Sequence, residues 1–566
     1  MKPDSAICLG CILVFLSAMA VAQTPERKAV PSDERKRLLD AMPTLPIDPT
    51  AILPRAELVY GRGLASVAHI RVTHIVLESA TVLTKDEVAK LVAPLEGREV
   101  TIEELHELRR RLSEEYVRRG YVNSGVVLPD QEVVQGVVVM REVTGKLTNV
   151  EVKGNGRLSQ AYIRDRINGA RHEPLRVEDL QKALELLQQD PLIQRINARL
   201  IPGVNTGEAE LQVSVKRTSA FQVAIGVDNQ RSASTGGEQA TVAVAHLNVT
   251  GHGDLMTAEA GASMGRTIGG LSYSYPLTAR NTSIHASFSV DDGRIVEEPF
   301  RIIDIKSLSM RGALSVSTPL VQRPNKLLVA SAGIERKHSE STLLGIPFSF
   351  SPGDRDGESD TTVLNFGLEY TLRSQNQVFS FRGTGRQGID ALNATTNPEG
   401  PDGRFTAFLG QFQYARRGPA QSELLFRSTA QLADGPLLGL EKMPIGGFHT
   451  VRGYRENQYV RDNGVAVSVE WRVPLPLGRR AESGFDALNL RVAPFLDYGR
   501  SWDTEAQPFT PDSVDASSAG IGLLWNPIRG LRADAYWGHP FKKPRTSGKD
   551  IQDRGIHFMV SYMLPL

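Results

Sequence analysis

Beyond residue 11 the chain has no cysteine: of its 566 residues only Cys8 and Cys11 carry a thiol, and both fall in the first apolar stretch. A disulfide framework or a thiolate metal site is thereby excluded for the rest of the chain. Nor does any later segment offer the run of about 18 apolar residues that a membrane-crossing helix needs. The formal net charge is +1, without the basic excess of a binder that works by neutralising phosphates, so no nucleic-acid partner is expected. There is no Gly-Lys-Ser/Thr phosphate loop. Histidines such as His449 and His557 stand alone, with neither metal-ligand spacing nor a nucleophile partner. The expectation is a protein that is not an enzyme and holds no metal or cofactor.

What is present begins with an export signal. Residues 6–22 follow Lys2, have the length of a signal-peptide apolar region and end in Ala20-Val21-Ala22, a small-x-small cleavage pattern. A membrane anchor or a lipoprotein signal at Cys11 would read similarly, but the polar, Pro-bearing sequence from Gln23 and the poor match before Cys11 favour a signal peptide over residues 1–22. Residues 23–66 are interrupted by Pro31, Pro43, Pro46, Pro49 and Pro54, leaving room for one short helix at 32–41 capped by Ser32. This segment reads as a periplasmic tether whose helix could serve as a plug, although it is short and highly charged.

From about residue 69 to 217 the chain repeats itself. A shift of 75 residues superposes Ile75 on Val150, Leu77 on Val152, Leu83 on Leu158, Val88 on Ile163, Leu105 on Leu180 and Leu112 on Leu187. Chance does not easily match both apolar positions and helix caps. Each copy reads strand, helix, helix, strand, strand. In the first, Thr84 with Glu87 and Thr101 with Glu104 are capping boxes, Leu105, Leu108, Leu112 and Tyr116 form one helical face, and extended runs follow at 126–128 and 134–140. The second places Leu180, Leu184 and Leu187 on its long helix, with strands near 196–201 and 209–215. Modules of this kind leave a sheet edge that can take up an extended polypeptide. Their expected spans are 67–144 and 145–217.

From residue 218 to 566 the period changes to two. Val465, Val467, Val469, Trp471 and Val473 alternate with Ala466, Ser468, Glu470 and Arg472, and Ile556, Phe558, Val560, Tyr562 and Leu564 alternate with His557, Met559, Ser561 and Met563. One face suits lipid and the other water. About 16 such segments occur, starting near residues 220, 240, 254, 269, 282, 307, 327, 362, 378, 405, 423, 464, 488, 520, 531 and 555. Short and long connections alternate between them, with a long 478–486 and a short 265–267 as exceptions. The fold class expected is membrane all-β: a 16-stranded transmembrane barrel preceded by two small α/β domains. A soluble β-sandwich would not need the alternation of loop lengths.

In the thirteenth segment Leu490, Val492, Leu496 and Tyr498 share one face, so Phe495 and Asp497 point into the lumen. The connection between segments eleven and twelve, at 436–463, carries Val451-Arg452-Gly453-Tyr454: a planar charged fork, a residue free to turn backwards and a hydroxylated aromatic.

Three local matches carry a family resemblance over essentially the whole chain after the signal. Gly120-Tyr121-Val122-Asn123-Ser124, followed by Pro129, Gln131 and Gly136, looks like the signature of a first POTRA domain. Val451, Arg452, Gly453 and Tyr454 match a superfamily loop motif, and Phe495, Asp497 and Gly499 match its partner motif on a strand. The chain thus resembles the TpsB-type two-partner secretion transporters, the haemolysin secretion/activation proteins. The resemblance implies a Gram-negative outer-membrane location with POTRA domains in the periplasm, a loop at 436–463 that folds back into the pore, and pairing of Arg452 with Asp497 there. It implies export of one large TpsA-type exoprotein, an adhesin, haemolysin or contact-dependent toxin, bound through its N-terminal secretion domain. Further implied partners are outer-membrane lipid and the barrel-assembly machinery. That machinery reads a terminal aromatic in the family, whereas this chain ends in Leu566. An assembly factor of the same superfamily and a passive porin are the rival readings. The presence of only two modules argues against the first, and the Arg452 and Asp497 pair, which a porin does not need, against the second.

Overall fold

The computed structural model describes residues 69–475, 489–505, 511–544 and 549–564. The expected signal peptide, the tether with its helix at 32–41, the 478–486 connection and Leu566 lie outside the described residues. The chain divides into two compact units, Pro43–Thr218 and one holding Ser219–Leu566.

In the first unit the initial module runs through strands His69–Val72 and His74–Glu78, helix Lys85–Val92, strand Arg98–Thr101, helix Ile102–Arg118 and strands Gly125–Val127 and Val137–Val143. Both capping boxes form: Thr84 and Thr101 accept from the backbone of Glu87 and Glu104, whose carboxylates reach back to the cap N–H. The long helix lays Leu105, Leu108, Leu112 and Tyr116 over Val72, Ile75, Val100, Val138 and Met140, the module's core. Strand Val137–Val143 is central, parallel to His74–Glu78 and antiparallel to Gly125–Val127. It starts three residues later than its apolar run suggests, because Val134 opens a turn closed by the Val137 N–H (3.1 Å), with Gln135 and Gly136 both at positive φ. Strand Arg98–Thr101, between the helices, is an addition to the expected order. At four residues it is too short to display a period, and its pairing with His69–Val72 defines it.

The second module repeats the plan with strand Lys146–Lys153, helices Gln160–Asn168 and Val177–Gln188, and strands Ile193–Pro202 and Glu208–Arg217, the last central in its sheet. Its outer strands extend beyond the expected windows.

The second unit is a closed antiparallel barrel of sixteen crossing strands. The first five are Phe221–Asp228, Gln239–Leu247, Leu255–Ser263, Arg266–Pro276 and Ser283–Arg294. Strands six to eleven are Ile305–Arg323, Lys326–Leu343, Glu358–Arg373, Gln377–Gly388, Thr406–Arg417 and Glu423–Ala433. The last five are Asn463–Pro474, Leu490–Trp502, Ser513–Trp525, Leu531–Pro540 and Ile556–Leu564. A two-residue strand, Ile346–Pro347, folds back on the seventh. Closure comes from the sixteenth strand pairing with the first, Met559 opposite Asp228 through Leu564 opposite Val223. Outward side chains are apolar and bare, Leu496 at 60% and Trp471 at 52% exposure among them, as lipid requires. Many inward ones are polar and paired with one another, Arg311 with Glu335 and Arg472 with Glu470 among them. Among the described residues no helix is long and apolar enough to cross a membrane.

Two strand starts differ from the periodicity. The fourteenth begins at Ser513 and not near 520, because its outer half (Ser513, Asp515, Ser517) carries polar residues on the face that turns apolar only at Ile521. The eighth begins at Glu358, and the sixth and seventh run for 19 and 18 residues, far into what reads as polar loop.

Candidate functional site

Residues 434–462, between the eleventh and twelfth strands, form a hairpin of their own in which Met443–Ile445 pairs with Tyr459–Arg461. Its tip reaches the lumen wall. There the register sets Ser468 directly opposite Asp497 and Glu470 opposite Phe495 on neighbouring strands, all four facing inward. Period-two geometry thus makes a small acidic and aromatic patch.

Arg452 fills that patch and is 1% exposed. Its backbone N–H donates to Asp497 Oδ2 (3.0 Å), Nε to the same oxygen (2.8 Å), and Nη2 to Asp497 Oδ1 (2.9 Å) and Ser468 Oγ (3.0 Å). Nη1 donates to Glu470. The guanidinium lies 3.6 Å from the Phe495 ring centroid and 4.7 Å from that of Tyr536. A bidentate carboxylate on one edge, a second carboxylate on the other and aromatic faces beside the plane use the features that distinguish Arg from Lys.

The neighbouring motif residues act through shape. Gly453 adopts φ of +90°, and a Cβ there would stand 2.8 Å from the Gly538 carbonyl oxygen, so only glycine lets the tip approach the fifteenth strand. Its N–H donates to His557 Nε2 (3.1 Å). Tyr454 donates from its hydroxyl to the Lys542 carbonyl (2.9 Å), and Val451 packs with Met443, Ile445 and Ala516. Gly499, two residues beyond Asp497, leaves room for Ile445 and Val451, which would meet a Cβ at 2.8 Å. Phe495 packs with Phe448 and Tyr536.

Sequence reasoning singled out Arg452 and Asp497 but not the residues that complete the site. Glu470 and Ser468 stand on the water-facing side of the twelfth strand, which was readable, but their register against the thirteenth was not. His557 reads as an isolated histidine because its partner is a backbone N–H. Beyond the tip, Arg455 pairs with Asp553 (2.6 Å) and Glu297 (2.9 Å), and the Glu456 N–H donates to Gln552 (2.8 Å). Among the described residues no group of acidic, histidine or cysteine side chains could hold a metal.

The POTRA-signature residues lie elsewhere, in the first unit, and three of them, Gly120, Asn123 and Ser124, help form the joint between the two modules. The Gly120 carbonyl accepts from the Val177 N–H (3.0 Å), and Ser124 Oγ accepts from the Gly145 N–H (2.9 Å). Between them, Asn123 Nδ2 donates to the Gly207 (2.9 Å) and Lys146 (3.2 Å) carbonyls. Tyr121 packs at the margin of the first module's core. The Gln131 side-chain amide makes two 2.7 Å bonds to the backbone of Val139, imitating a strand neighbour, and also donates to the Pro129 carbonyl. At Gly136 a Cβ would meet Thr73 at 2.8 Å.

The family model described as haemolysin secretion/activation protein ShlB/FhaC/HecB matches residues 207–524, and that of the ShlB-type POTRA domain matches residues 70–145. The outer membrane transporter CdiB of Escherichia coli is 23% identical over 548 residues, covering 92% of this chain and 88% of the relative. The heme/hemopexin transporter protein HuxB of Haemophilus influenzae is 22% identical over 450 residues, 77% of each. Among solved structures, CdiB from Escherichia coli aligns over 100% of this chain and 99% of its own with a TM-score of 0.66 at 18% identity. CdiB from Acinetobacter baumannii aligns over 100% of both with a TM-score of 0.62 at 15% identity.

Proposed function

The chain belongs to the haemolysin secretion/activation protein family ShlB/FhaC/HecB, and from that premise we propose that it is an outer-membrane translocase that moves one large exoprotein from periplasm to cell surface by two-partner secretion. The observation that carries this reading is the hairpin 434–462, held inside a closed barrel by Arg452 against Asp497 and Glu470. A passive pore has no use for a buried, charge-matched element across its lumen. A translocase does, because its pore must stay shut to small solutes and still admit a polypeptide.

The cargo is an adhesin, haemolysin or contact-dependent toxin. Its unfolded N-terminal secretion domain meets the POTRA modules, where sheet edges offer unpaired backbone groups. No nucleotide site is at hand, and folding of the cargo outside supplies the direction by opposing its return. Lipid holds the apolar outer face, and the barrel-assembly machinery inserts it. Arg452, Gly453 and Tyr454 fix the loop, while Asp497, Phe495 and Gly499 form its seat.

The test is quantitative proteomics of medium and outer membrane with and without the gene. Loss of a single large protein from the medium or cell surface is expected and names the cargo. Depletion of many barrel proteins from the outer membrane would replace this reading with an assembly factor.

A further inference from the structure

The hairpin is gripped at a second place, eleven residues before Arg452. Glu441, whose side chain is 0% exposed, takes Lys337 Nζ at 3.0 Å and Thr361 Oγ1 at 2.7 Å, and also pairs with Arg386. Its backbone carbonyl accepts from Gln431 Nε2 (2.9 Å), and the preceding Leu440 carbonyl accepts from Lys337 (3.1 Å). The cations stand on the seventh and ninth strands and Thr361 on the eighth, whereas Arg452 is seated on the twelfth and thirteenth. The hairpin therefore bridges two separate stretches of wall.

The two grips differ in kind. At the tip the wall supplies the carboxylates and the loop the cation, and backbone contact at Gly453 against Gly538 leaves no slack. At Glu441 the signs are reversed. Arg311, Lys337 and Arg386 are three wall cations, and Glu335, 3.3 Å from Lys337, is the wall carboxylate they share. Without Glu441 the wall holds a surplus of buried positive charge, which is costly in a partly desolvated site. The arm's carboxylate lowers that surplus from two charges to one. On one side the arm meets a cavity lined by Ser307, Ser339, Ser341 and Ser359 with Gly439 and Leu440, and on the other it buries Leu437 against Val363, Phe405 and Ala407.

Resting on the translocase reading, we infer that Glu441 is the positioning residue that holds the first arm of the hairpin across the lumen at rest, and that the pore opens by releasing this arm while the Arg452 tip stays seated. Lys337, Arg386 and Thr361 are the catch. The arm can swing because its hold is made chiefly by side chains and the serine-lined cavity on one flank is polar enough to hydrate when it leaves. The tip cannot swing without stranding Asp497, whereas Glu470 keeps Arg472.

The experiment is single-channel recording of the purified full-length protein in planar bilayers, with Glu441→Gln and Glu441→Asp beside the unsubstituted chain. Gln keeps the shape and the hydrogen-bonding capacity toward Thr361 but loses the charge. The expected result is an open fraction raised about tenfold or more for Glu441→Gln, a low estimate for removing one member of a buried ion pair, with Glu441→Asp largely restoring closure. Retention of the heat-resistant folded form in gels verifies the barrel. If Glu441→Gln fails to fold, the pair Arg386→Gln with Glu441→Gln, which removes one charge of each sign, is recorded instead, with the same increase expected. A folded variant as closed as the unsubstituted chain would overturn the latch, as would loss of closure that Asp does not restore. The recording needs no cargo, so a failed export reading and a failed latch are told apart.

Discussion

At the scale of single residues, Arg452 concentrates the consequences of the fold. Removing its side chain takes from Asp497 the guanidinium that neutralises it in a desolvated patch, while Glu470 keeps Arg472 at 2.6 Å, a cost of about 3 to 5 kcal/mol to the docked loop. Arg452→Ala is expected to abolish export while the barrel still assembles; normal export at normal protein level would refute the role given to it. Arg452→Lys keeps the charge but not the fork or the stacking on Phe495, and is expected to export almost as poorly, measured as cargo in the medium. Gly453→Ala meets both the positive φ and the Gly538 carbonyl, so the tip is expected to lift from the wall, read as new protease cleavage in 446–458. Asp497 was legible because alternation alone assigns its face. Glu470 shares that face on the next strand, yet only the register, which no local pattern encodes, brings it to Arg452.

At the scale of elements, helices were more legible than strand ends. Thr84 and Thr101 announce their helices through side-chain chemistry that is local in sequence. Strand Arg98–Thr101 and the outer half of the fourteenth strand exist through pairing with distant partners, and their own residues show no period. The capping box at Thr84 has a pH signature. Hydrogen bonding from the Arg119 guanidinium, then from the Thr84 backbone, holds the Glu87 carboxyl down to about 2 from an ordinary 4.5. A depressed acid contributes stability above its unfolded value and loses it as pH falls through the folded one. The helix Lys85–Val92 should therefore weaken between pH 4.5 and about 2, and Glu87→Gln should flatten that part of an acid titration followed by circular dichroism. The joint between modules gives a second test. Asn123→Ala removes the amide donor from the Lys146 and Gly207 carbonyls, of which Gly207 keeps the Lys146 N–H (3.0 Å), at about 1 kcal/mol. Faster hydrogen exchange around residues 145–146 and 175–177 is expected, with the Leu112 core unchanged.

At the scale of the molecule, the sixteen strands and the α/β repeat were legible because lipid and water impose a period along every strand and gene duplication leaves one along the chain. The hairpin's second grip at Glu441 was not, since a glutamate in a polar loop looks like any other until the wall cations are placed around it. The sixth and seventh strands hold one more consequence. Nineteen residues make about 60 Å of strand and, after tilting, about 45 Å along the barrel axis, against an apolar band of about 25 Å. The surplus belongs at the end away from the short turn at Arg323 and Lys326, which places it outside the cell. Beyond the band these strands present Lys306 and Glu340 to solvent and turn Ser307, Ser339 and Ser341 towards the cavity beside the hairpin. A reagent or protease added to whole cells should therefore meet this raised rim before it meets the buried Arg452 or Glu441.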